Sequence, residues 1–92
     1  MANFIVRVEL HKATESDYEV LHASMAQQGF TRTIPGTDGS LFKLPTAEYF
    51  LQGIYTVQQV YTKTATAAKT TNKNFWILVS EATTYWFLLD KA

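Results

Sequence analysis

Two histidines, His11 and His22, are the side chains of this chain best suited to move a proton near neutral pH. His11 closes the stretch "FIVRVELH", in which Phe4, Val6, Val8 and Leu10 alternate with Ile5, Arg7, Glu9 and His11. An extended strand sends these two sets to opposite faces, one apolar and one carrying Arg, Glu and His. Such a polar row can meet the phosphates and bases of a single-stranded RNA, or it can be the wet or dimer-buried side of a sheet. His22 lies beside the apolar stripe of a helical segment, where packing or surface exposure is its simplest role. A metal site built from His11, Glu9 and Glu81 needs three strand ends to converge, and no zinc-ligand spacing is present. Phosphate-cradling glycine loops, a GxSxG elbow and paired carboxylates at helical spacing are also missing, and no cofactor is expected.

Composition bounds what these residues can serve. The 92 residues are 47% hydrophobic, which suits one compact domain over 1–92 with a small core. Eight basic and eight acidic side chains cancel, so no long-range field draws in a polyanion. The charges are uneven along the chain, with Glu15, Asp17 and Glu19 crowded in one segment and Lys63, Lys69 and Lys73 in another. There is no cysteine, hence no disulfide framework and no thiolate chemistry. No secretory leader pattern and no apolar run of membrane-spanning length is visible, so a soluble, cytoplasmic protein is expected.

The elements that must position the histidines follow from local pattern. "ATESDYEVLHASMAQQGF" reads as an amphipathic helix. Thr14 or Ser16 is its N-cap, Ser16 and Glu19 stand in capping-box spacing, Tyr18, Leu21 and Met25 form its stripe, and Gly29 stops it. "FTRTIPGTDGSLFKLPTAEYF" reads as a β-hairpin around "PGTDGS", with "TAEYF" continuing its second arm past Pro45. A second helix follows "TVQQVYTKTATAAKTTNK", with Thr56 and Gln59 in capping-box spacing and Val57, Val60, Tyr61, Thr64 and Ala68 as its apolar stripe. "NFWILVSE" is a strand, and "TYWFLL" offers a short fifth, C-terminal one. The order is that of an α+β, ferredoxin-like βαββαβ domain: two helices on one face of a four-stranded antiparallel sheet, the other face open. Trp76, Tyr85, Trp86 and Phe87 put more aromatic surface into the last quarter than so small a core absorbs, which points to a homodimer.

With "FIVRVELHKATESDYEVLHASMAQQGFTRTI", "LPTAEY" and "WILVSEA" in view, the chain resembles, over essentially its whole length, the family of GhoS-type endoribonuclease antitoxins of type V toxin-antitoxin systems. The resemblance implies a ferredoxin-like fold similar to that of the small CRISPR-associated nucleases, and sequence-selective cleavage of a toxin messenger RNA; metal independence is a separate expectation. Nuclease action in this fold is linked to basic residues near the first helix. Positions 13 to 29 hold no Lys or Arg, and His22 stands in there; Glu9 and His11 stand where related nucleases carry an aspartate. The implied catalytic residues are His11, His22 and Arg7, with Arg32 and Lys43 contacting RNA. The competing expectation is a non-catalytic dimeric module that binds protein or RNA through its open sheet face and aromatic tail.

Overall fold

The computed structural model describes residues 1–92. Strand β1 (Ala2–Leu10) leads to helix α1 (Glu15–Gln27), then β2 (Thr33–Pro35), β3 (Leu41–Lys43), β4 (Glu48–Gly53), helix α2 (Val57–Lys69) and β5 (Phe75–Glu81). Both helices begin as their lettering demands. Thr14 caps α1 with Asp17 closing the box, so Asp17 rather than Glu19 is the reciprocal acid and Glu19 is left free. Thr56 and Gln59 make the same box on α2.

The main sheet has three antiparallel strands in the order β4-β1-β5, and β2-β3 form a separate two-stranded sheet. The expected single four-stranded sheet is therefore replaced by two sheets. They touch through one bridge, Thr31 to Phe50, in which each residue's N–H donates to the other's carbonyl at 2.9 Å. "TAEYF" does not extend the hairpin arm. β3 ends at Lys43, Pro45 follows, and Ala47 takes the left-handed conformation (φ 64°), which redirects the chain into β4. Nor does "TYWFLL" add a fifth strand to the main sheet. Its end makes only the bridge from Lys91 to Phe42, with Lys43 N–H donating to Asp90 and Ala92 N–H to Leu41.

Phe4, Val6, Val8 and Leu10 are buried on the helix side. They pack with Leu21 and Met25 of α1, Val60, Ala67 and Ala68 of α2, and Tyr49 and Leu51 of β4. α2 keeps Val60, Thr64 and Ala68 of the expected stripe buried and adds Ala67, whereas Val57 and Tyr61 face solvent. Thr64 is tolerated in this core because its hydroxyl donates to the Val60 carbonyl at 2.8 Å.

On the other side of the sheet the register sets Ile5 opposite Phe50 and Ser80, Arg7 opposite Glu48 and Leu78, and Glu9 opposite Trp76. The hairpin and the C-terminal tail lie over one end of this face. Ala82 N–H donates to Asn3, Tyr85 donates to the Pro35 carbonyl at 2.9 Å, and Phe87 packs on Phe42 with ring centroids 5.0 Å apart. Ile34 and Phe50 are buried outside the helix-side cluster. No helix is long and apolar enough to cross a membrane.

Candidate functional site

The strongest electrostatic feature sits where α1 crosses β4. His22 is one turn after Glu19 on α1, and its Nδ1 lies 2.6 Å from the Tyr49 hydroxyl. Tyr49 is in place because its register partner Val6 points to the helix side. Arg32 arrives from the other direction. Gly29, left-handed at φ 94°, ends α1 and turns the chain back so that Thr31 bridges Phe50. Arg32, one residue beyond the bridge, thus comes opposite Tyr49 at a strand spacing of about 5 Å.

Burial of the ring holds His22 below its ordinary range, the Arg32 charge adds to this, and Glu19 opposes it. Burial pushes the Tyr49 phenol well above its ordinary value. At neutral pH the pair is a neutral imidazole beside a neutral phenol. A buried phenolic hydrogen needs an acceptor, and His22 Nδ1 is the acceptor present. The ring proton is then on Nε2, which has no protein partner and is not enclosed. The site offers a neutral N–H donor within the influence of the Arg32 charge, a combination suited to an anionic oxygen.

Arg7 and His11 lie elsewhere. Arg7 on β1 and His11 one residue past its end lie on the opposite side of the sheet, four residues apart, about 13 Å at the usual strand rise. Glu9 stands between them on that face. His11 packs edge-on against Trp76 with centroids 4.6 Å apart, and its Nε2 is enclosed without a hydrogen-bond partner. Lys43, on β3, is exposed and faces Thr33. The structure therefore gathers His22 and Arg32 at one place, sets Arg7 and His11 on the far side of the sheet, and leaves Lys43 on the hairpin.

Tyr49 and Glu19 belong to this constellation and were not singled out in the sequence. Tyr49 enters there within "TAEYF", the expected end of the hairpin arm, and its contact with His22 spans 27 positions. The lysine-rich segment makes no isolated basic patch: Lys73 lies 3.7 Å from Asp17, and Lys63 sits over the Tyr55 ring at 5.5 Å. No three His, Asp or Glu side chains gather around one point. No protein-family model matches the chain, and no curated protein matches its sequence.

Proposed function

We propose that the chain is a GhoS-like antitoxin, a homodimeric endoribonuclease of the cytoplasm that cleaves a toxin messenger RNA at the His22 and Arg32 site. The observation that carries this reading is the 2.6 Å contact of His22 Nδ1 with Tyr49, which leaves Nε2–H free on a ring that also feels the Arg32 charge. The strand and helix order, with Thr31 bridging Phe50 where a fourth strand belongs, supports a ferredoxin-like ancestry.

In the proposed reaction the 2′-oxygen of a ribose adds to the adjacent phosphorus and the bond to the 5′-oxygen breaks, leaving a 2′,3′-cyclic phosphate. Glu19, on the same helix turn as His22, takes the 2′ proton, and water protonates the departing 5′-oxygen. His22 Nε2–H and the Arg32 guanidinium meet the phosphate oxygens, where charge grows. No step uses a metal ion.

The test is a gel assay of the purified protein on structured and single-stranded RNA, with and without EDTA. Cleavage should survive EDTA and the Arg7→Ala, His11→Ala double variant, and fall at least a hundredfold in His22→Ala and in Arg32→Ala, by the usual weight of such donors. Loss in the double variant with retention in His22→Ala would move the centre to the sheet face. A second reading, a non-catalytic binding module, is favoured by the apolar side chains left bare: Trp76, Leu78, Trp86 and Leu88 are all at least 63% exposed. Absence of cleavage by wild type at high enzyme concentration would select it.

A further inference from the structure

β5 is an edge strand. It pairs with β1 on one side and with no strand on the other. Ala82 N–H donates to Asn3 and His11 N–H to the Asn74 carbonyl, which turns the even-numbered residues of this strand toward β1. The N–H and C=O groups of Phe75, Ile77, Val79 and Glu81 consequently point outward. Edges of this kind are normally blunted by proline, lysine, a bulge or a covering segment. "FWILVSE" has no proline or lysine, and its seven residues pair with β1 without a break in register. Trp76 and Leu78, on the face away from the helices, are 67% and 63% exposed.

We propose that two copies of the chain join through β5, antiparallel about a two-fold axis at Ile77, so that two three-stranded sheets become one of six strands. This rests on the homodimer reading above and names its interface. The occupant is a second copy because the strand complements itself in this register. Phe75 faces Val79 of the second copy, Trp76 faces its Leu78, and Ile77 faces its own equivalent. Odd-numbered residues meet odd-numbered residues, so the outward amides and carbonyls find each other. Lys73, two residues before the strand and 3.7 Å from Asp17, comes to the same end of the pairing as Glu81 of the second copy, and within the paired strands no like charges are opposed. The two exposed apolar side chains thereby cover each other twice, once on each side of the axis.

The test is analytical sedimentation of the full chain across a concentration series, with circular dichroism of each variant to confirm folding. Wild type should be a dimer, and Trp76→Lys with Leu78→Lys should be a folded monomer. Glu81→Lys opposes two lysine pairs and should weaken the dimer roughly tenfold. Adding Lys73→Gln to Glu81→Lys removes the opposed like charges without setting an acid against Asp17 and should recover most of the lost affinity. A dimer indifferent to Leu78→Lys and Glu81→Lys would place the interface elsewhere and overturn the β5 assignment while the homodimer stands. A wild-type monomer at the highest concentration would overturn both. Neither result bears on RNA cleavage, which is scored separately.

Discussion

The helix-side face of the sheet is continuous and dry, with twelve buried residues from β1, β4, both helices and Phe30 just past α1 in one cluster, whereas the opposite face is divided. At the Asn3 and Ile5 end the hairpin and tail cover it and bury Ile34 and Phe50. At the Arg7 and Glu9 end it is bare, with Trp76 and Leu78 in solvent. Strict alternation thus marks the helix-packed face completely and the second face only in part. Ile5 is the one apolar member of the row Ile5, Arg7, Glu9, His11, and it belongs to the covered half. An apolar residue breaking a polar row signals that something lies over it.

The contrast can be broken most forcefully on the helix side. Leu21→Ala, at a fully buried position, should cost about 3 kcal/mol in urea unfolding. A cost below about 1 kcal/mol would mean that the cluster relaxes freely around the gap. Phe42→Ala, which removes the ring that holds Phe87, should cost about 1 to 2 kcal/mol. It should raise amide exchange in the tail while leaving α1 protected, and equal loosening of α1 would make the two faces one cooperative layer.

The third effect is a pH dependence at the rim of the core. The folded-state pKa of His22 lies below its unfolded value, so between the two the unfolded chain holds a proton that the folded one does not. Stability is fully present above the unfolded value, near pH 6.5, and is lost as pH falls from there to the folded pKa. Going from pH 7.5 to 5.0, wild type should lose more stability than His22→Gln. Equal losses would show that the ring is not held neutral. The smallest effect belongs to the bare half, where Leu78→Ser should change monomer stability by no more than about 0.5 kcal/mol.

Local signals were legible where the physics is local. The row of Phe4, Val6, Val8 and Leu10, the Thr56 and Gln59 box and the Gly29 stop all lie where their spacing indicates. Strand partnership was not, because the turn into β4 is made by Ala47 in a left-handed conformation with no glycine to announce it. The facing of α2 was legible in part: Val60, Thr64 and Ala68 of the expected stripe are buried, Ala67 joins them, and Val57 and Tyr61 toward its start face solvent. At the candidate site, His22 and Arg32 stood out by residue type. Their meeting at Tyr49 depends on a chain reversal and a strand bridge that no spacing encodes.

The central place of β1 also imposes an order in time. β1 is synthesised before both of its partners: it pairs with β5, Phe4 with Glu81, and its other neighbour begins only at Glu48. Until those segments exist, an apolar strand with two open edges waits without partners, while α1 can begin to form beside it. Contacts so distant in sequence slow folding and prolong exposure of sticky edges. A cell making this chain quickly would therefore depend on whatever shields nascent "FIVRVEL" from its neighbours.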